Sequence, residues 1–333
     1  MVEIEAKKLI KVKKLILLLI LLFLSFYSFS SESADTTKKV ADSVKAWKIT
    51  NGFFITFNQI AFSNWSAGGE TSVSGKANND FKVNYSKNRF KFFHESRLAY
   101  GMVGYFNKRI EKTDDKIDMI TSFGQTFSKK WATTALISFK SQFAKGYKYP
   151  NDSVIISEFM APGYLTLSLG TNFKPNDNFQ LFLSPISGKF TFVLNQTLAD
   201  KGAYGVKKAI YDTAGNLIHH GEKMLGELGI NIVTSYNKKI MKNVKLNSIL
   251  NLHNNFLEEK SSEIWIFDVD WDTKLVFKIN KLFATLFYFH MKYDKNAKLP
   301  VYKTNNDGQE ILTGYKAKLQ IKESLGLSIT FKI

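Results

Sequence analysis

The sequence predicts an all-β chain closed into an antiparallel transmembrane β-barrel of about twelve strands. Three observations carry that prediction. Apolar and polar residues alternate with a period of two through most of 47–333, the alternating segments outrun the ~5–6 residues usual for a globular strand, and tight turns alternate with long links.

The first 33 residues are of another kind. Lys7, Lys8, Lys11, Lys13 and Lys14 lead into LILLLILLFLSFYSFS, and small residues follow from Ser28 to Ala34. That order of charge, grease and small residues describes a signal peptide cut near residues 30–34. A membrane anchor is the rival reading, but the strongly apolar part stops near Phe29, short of the roughly 20 residues a spanning helix needs. The expected organisation is therefore a signal peptide at 1–33, a short periplasmic segment at 34–46 and a barrel domain at 47–333. No later apolar run reaches spanning length, so any further membrane crossing is by strands.

Composition narrows the function. The chain of 333 residues has no cysteine, which excludes disulfides, thiolate metal sites and thiol nucleophiles. Its 46 basic and 29 acidic residues leave a net charge of +17, yet the lysines are scattered and form no basic helix or reader motif. The sequence therefore points away from nucleic acid and towards outer-membrane lipids, above all an anionic glycolipid met by loop bases such as Lys108, Arg109, Lys112, Lys207 and Lys208.

Along the barrel, TSVSGKANNDFKVNY (71–85) sets Ser72, Ser74, Lys76, Asn78, Asp80 and Lys82 opposite Val73, Phe81, Val83 and Tyr85. NVKLNSILNLHNNF (243–256) sets Lys245, Asn247, Asn251, His253 and Asn255 opposite Val244, Leu246, Leu250 and Leu252. IWIFDVDWDTKLVFKIN (264–280) is the clearest: Asp268, Asp270, Asp272, Lys274 and Lys278 on one face, Trp265, Phe267, Val269, Trp271, Leu275 and Phe277 on the other. Phe283, Phe287, Phe289 and Met291 share a face, as do Leu325, Leu327, Ile329, Phe331 and Ile333. A soluble sandwich would alternate too. Connection lengths separate the two, because short turns at 86–89, 128–130 and 280–281 alternate with links at 104–116, 146–162, 195–222 and 294–312. Short turns belong to the periplasmic end and long loops to the outside. Trp47, Trp65, Trp131, Trp265 and Trp271 fall near strand ends, where amphipathic rings form girdles.

At FNQIAFSNWSAGGETSVSG (57–75), LAYG (98–101) and ADKGAYGV (199–206), the chain resembles an exported envelope family of Bacteroidetes catalogued as domain of unknown function 3078. The resemblance runs from about Trp47 to the C-terminus, with Asn64, Trp65, Ala67, Gly68 and Gly69 its most specific positions. It implies an envelope barrel and supplies no catalytic residues. The C-terminal strand, with Phe331 near its end, is similar to those that barrel-assembly machinery recognises.

Three candidate constellations emerge. His94 and Ser96 in FHES resemble part of the active site of outer-membrane phospholipases, where an Asn on a neighbouring strand orients the histidine. Here Arg97-Leu98 follows instead of Asn-Gly, no third member is identifiable, and an enzyme is not the expected reading. The aspartates at 268, 270 and 272 lack the turn, Gly and distal Glu of a calcium loop, so they read as lumenal acids paired with Lys245, Lys274 or other interior bases. The third constellation is the lumen itself, lined by Lys245, Asn251, His253, Asp268, Asp270, Asp272 and Lys274. A passive channel or solute/lipid conduit with a polar lumen is the function expected, needing no cofactor and no metal. A non-transporting scaffold that binds glycolipid or a partner, and a lipid hydrolase, are the alternatives; the oligomeric state is open.

Overall fold

The computed structural model describes residues 46–60, 72–105, 110–149, 151–257, 266–304 and 310–332. The signal segment, the motif residues Asn64, Trp65, Ala67, Gly68 and Gly69, and also Lys108, Arg109, Trp265 and Ile333, lie outside the described residues.

Twelve strands close the sheet: β1 (Trp47–Ile60), β2 (Ser72–Lys87), β3 (Phe90–Tyr105), β4 (Ile110–Thr126), β5 (Trp131–Ser141), β6 (Gly163–Phe173), β7 (Phe179–Phe192), β8 (Met224–Met241), β9 (Val244–Asn255), β10 (Asp268–Lys278), β11 (Phe283–Tyr293) and β12 (Gln320–Lys332). Each pairs antiparallel with its chain neighbours, and β1 meets β12 to complete the ring. Backbone N–H and C=O groups thus find partners within the wall, which hydrocarbon could not supply. The closing seam has six residue pairs, Gly52–Phe57 against Lys332–Leu327. A hydroxyl bond, Thr56 Oγ1 to Ser328 Oγ at 2.6 Å, pins it from the inside.

Turn chemistry sets the registers at the short-turn end. Asn88 adopts positive φ between β2 and β3, a conformation asparagine tolerates better than most residues. The Asn176 and Asn280 carboxamides accept two backbone N–H groups each, from Asn178 and Phe179 and from Leu282 and Phe283. The far end carries the long links, with small hairpins at Gly146–Tyr147/Ile155–Ser157, Ile210–Tyr211/Leu217–His219 and Lys298–Thr304/Glu310–Ala317. One expected link shrinks: 104–116 is mostly strand, with β3 running to Tyr105 and β4 starting at Ile110. Its run EKTDDK has loop-like composition because Lys112, Asp114 and Lys116 line the ionic interior. Lys112, expected as a loop base, donates to Asp115 (2.7 Å) and to the Ala144 carbonyl (2.8 Å) instead.

The two faces of the wall are opposite in chemistry. Ile49, Phe57, Val73, Phe123, Leu169, Ile186, Leu325 and Leu327 point outward and are each at least 50 % exposed. The buried positions of the wall include Glu95, Asp118, Lys189, Glu227, Asn231 and Asp268. A water-soluble protein buries the first set and exposes the second; a barrel in lipid does the reverse. At the short-turn rim Trp47 packs on Tyr85 and Phe92 (centroids 4.6 and 6.1 Å), and Trp131 on Phe173 (4.5 Å). Trp271 sits on Phe289 and donates its Nε1–H to Ser248 at 2.9 Å.

A small apolar core lies among the long links: Ala161, Val193, Leu198, Ala199 and Val206, with Ala203, Tyr204 and Leu225 against it. Asn195 caps helix α1 (Gln196–Asp200) by accepting the Leu198 N–H at 3.0 Å. The Asp200 carboxylate accepts from the Gln196 amide and the Gly221 N–H, which hold it below its ordinary pKa. Tyr204 donates to the Ile156 carbonyl at 2.7 Å, tying the 193–223 link to the 142–162 link.

Two glycines allow bulges in the wall. A Cβ on Gly229, beside the β7–β8 bulge, would fall 1.6 Å from the Asn254 carbonyl oxygen, and one on Gly170 2.1 Å from that of Leu183. Gly229→Ala is expected to destabilise the barrel by at least the ~1–3 kcal/mol of an overpacked site. Gly104→Ala, whose nearest neighbour is at 3.9 Å, is the matched control. The shift between folded and heat-denatured bands on gel electrophoresis measures both.

Candidate functional site

The inner face is built by parity: each strand sends alternate residues inward, and the register brings distant charges into contact. Asp272 on β10 accepts from Lys116 Nζ on β4 at 2.6 Å and from the Tyr288 hydroxyl at 2.8 Å. In a ring of twelve, β4 and β10 are diametrically opposed. Arg97 on β3 joins them, 2.6 Å from Asp118 and 3.6 Å from Asp272. Asp270 takes Lys140 at 2.6 Å and His290 at 2.9 Å, while Asp268 takes Lys189 at 2.5 Å. Lys274 reaches across to Asp80 at 2.8 Å, and Asp114 holds both Lys322 and Lys76. Direct contact between opposite walls means that side chains cross the bore at this level. The result is an ionic septum.

Two cavities flank it. The one at the short-turn end has a volume of about 1120 Å³ and is lined by eight lysine and arginine residues against four acids, among them Lys82, Lys245, Lys274, Lys278 and Lys281. The one at the long-loop end, about 470 Å³, carries six lysines and six aspartates together with Tyr147, Tyr149, Tyr164 and His253. Asp114, Lys116 and Tyr288 border both.

The structure places Lys245 and Lys274 on the short-turn cavity and Asn251, His253, Asp268 and Asp270 on the long-loop one, with Asp272 in the septum beside the former. The bases that Asp272, Asp270 and Asp268 take are other interior ones, Lys116, Lys140 and Lys189, from strands that do not adjoin β10, because a barrel brings its walls together and strand-by-strand reading sees only neighbours; Lys274 takes Asp80. Arg97, Asp118, Lys140, Lys189 and Tyr288 were not singled out in the sequence. Their signal was inward parity on charged positions of β3, β4, β5, β7 and β11.

His94 and Ser96 face outward, as parity predicts. The His94 ring contacts Thr121 Oγ1 on β4 at 2.9 Å. Both neighbouring strands pair with β3 along this stretch, so the backbone there is committed to ladders that an oxyanion hole would have to interrupt. Among the described residues, no cluster of His, Asp and Glu has metal-ligand geometry.

The stretch from the end of β1 to Tyr147, which supplies Lys76, Asp80, Arg97, Lys116, Asp118 and Lys140, also carries the match to a known family. Residues 57–147 match the model described as Protein of unknown function (DUF3078). The match is shorter than the span of the resemblance read from the sequence. No curated protein matches the chain. Among solved structures, the chain is similar to an outer membrane channel from Pseudomonas putida F1, at 10 % identity and TM-score 0.36 over 90 % of this chain and 100 % of that one. It is similar to the translocator domain of the autotransporter NalP from Neisseria meningitidis, at 8 % identity and TM-score 0.33 over 86 % and 87 %. The P. putida toluene transporter TodX aligns at 10 % identity and TM-score 0.31 over 87 % and 80 %.

Asp272 is the septum's shared acceptor, and removing it leaves Lys116 without its nearest anion across the lumen. Asp272→Ala is expected to lower stability by about 3–5 kcal/mol, the scale for breaking one side of a buried pair. Lys174→Ala, at an exposed turn pair with Asp177, should leave the transition unmoved. Urea unfolding followed by tryptophan fluorescence in detergent micelles compares them.

Proposed function

We propose that the protein is an outer-membrane conduit for small hydrophilic solutes whose lumen is shut at rest by the ionic septum. One observation carries the reading: two polar cavities lie in series along the bore, separated only by side chains that cross it. Closure by ion pairs rather than by a folded plug means that side-chain rotation suffices to open a path. The excess of bases in the short-turn chamber favours anions over cations once that path exists.

The reading gives His94 and Ser96 no part. Placement in the bacterial outer membrane rests on the outward apolar wall, the closed ladder and the short-turn/long-loop asymmetry.

Planar-bilayer recording tests the proposal. Wild-type protein is expected to show mostly silent insertions with rare brief openings. The double variant Lys116→Ser/Asp272→Ser removes both ends of the cross-lumen pair, leaves Arg97 on Asp118, and should give steady discrete steps with an anion-selective reversal potential. Silence from both proteins, each shown folded by its gel shift, would refute the conduit and leave the scaffold reading.

A further inference from the structure

We propose that the long-loop chamber is a binding site for an uncharged, polyhydroxylated solute of sugar size, held by His253, Asn231 and Asn251. The inference rests on the conduit reading and names the class of solute that the conduit admits from outside.

The three side chains form one patch. His253 on β9 is the register partner of Asn231 on β8, and Asn251 lies two residues before His253 on the same inner face. All three line the chamber. His253 is 6 % exposed and Asn231 1 %, yet both ring nitrogens of His253 and the Oδ1 atoms of Asn231 and Asn251 have no hydrogen-bond partner within the protein. Buried polar atoms are normally paired, so four neighbouring ones that are not leave hydrogen-bonding capacity in this wall for a solute towards which the side chains turn. The Asn231 carboxamide is fixed in orientation, because its Nδ2 donates to Ser168 Oγ at 3.1 Å and that hydroxyl is bonded to Ser187 at 2.8 Å.

The chemistry of the patch selects the ligand. A neutral imidazole offers one donor and one acceptor, and the two carboxamide oxygens accept. Hydroxyl groups, which both donate and accept, match that mixture; a carboxylate, which only accepts, would face the two carbonyl oxygens. Charge gives the same answer. The six lysines and six aspartates of the chamber balance, and they are engaged with one another: Lys189 with Asp268 at 2.5 Å, Lys140 with Asp270 at 2.6 Å, Lys292 near Asp294 at 4.0 Å. An ion entering this chamber gains no net attraction. The volume of about 470 Å³ lies within the range of small-ligand pockets.

Saturation-transfer NMR on the full chain in detergent micelles tests the site, with methyl β-D-glucopyranoside and maltose as probes and sodium phosphate as the anionic counter-probe. Wild-type protein is expected to show saturable transfer to at least one of the two sugars, undiminished by phosphate. His253→Phe and Asn251→Ala should each weaken the titrated affinity by about tenfold or more. Asn251→Ala serves if the His253 variant fails to fold, since Asn251 is less deeply buried. No transfer to either sugar, transfer that both variants retain in full, or displacement by phosphate would overturn the site. The readout is independent of conductance. Sugar bound by a protein that stays silent in bilayers sinks the conduit and keeps the site, whereas anion current without sugar binding sinks the site alone.

Discussion

The constraint on which the rest of the molecule depends is that a backbone in hydrocarbon must satisfy its own hydrogen-bonding groups. A sheet meets it only by closing, and closure with simple neighbour-to-neighbour pairing fixes which residues face lipid and which face one another across the bore. Every later feature descends from that. The alternating pattern becomes two surfaces of opposite chemistry, and the width set by twelve strands is small enough that long side chains from facing walls can touch.

That width explains the character of the interior. Lysine and arginine reach several ångströms from their Cα atoms, and here Lys116, Lys140 and Lys189 use that reach to meet acids on β10 from three other strands. Concentrating three aspartates on one strand would be repulsive in isolation. Each instead has its own lysine from a different strand, none of them adjoining β10, while His290 and Tyr288 on the neighbouring β11 add contacts to Asp270 and Asp272. Such pairs contribute little net stability against apolar replacements, since desolvation offsets much of the attraction. Their value here is geometric: they hold a polar bore at a defined aperture.

Much of this was legible in the sequence because the wall obeys a strict period. The inward set on IWIFDVDWDTKLVFKIN, the turns that hold Asn88 and Asn280, and the strand number all follow from local pattern. What local pattern could not give is partnership across the bore. Asp272 and Lys116 are 156 residues apart and neither is next to the other's strand, so nothing in either segment announces the pair. The 104–116 run misled for a related reason: Glu111, Lys112, Asp114 and Asp115 look like a solvated loop unless the medium inside the barrel is known to be ionic. Asn231 and His253 were hidden differently. Parity put His253 on the inner face, but whether its ring has a partner is a property of packing.

The seam between β1 and β12 has a consequence for how the molecule comes into being. Thr56 and Ser328 are 272 positions apart, and among the described residues their strands share fewer rungs than any other adjacent pair in the barrel. Every other rung can zip between segments already adjacent in the chain, whereas this one must wait until the final strand has been delivered. Until Gln320–Lys332 lies against Trp47–Ile60, the curved ribbon has two raw borders, and that one seam turns an open sheet into a vessel.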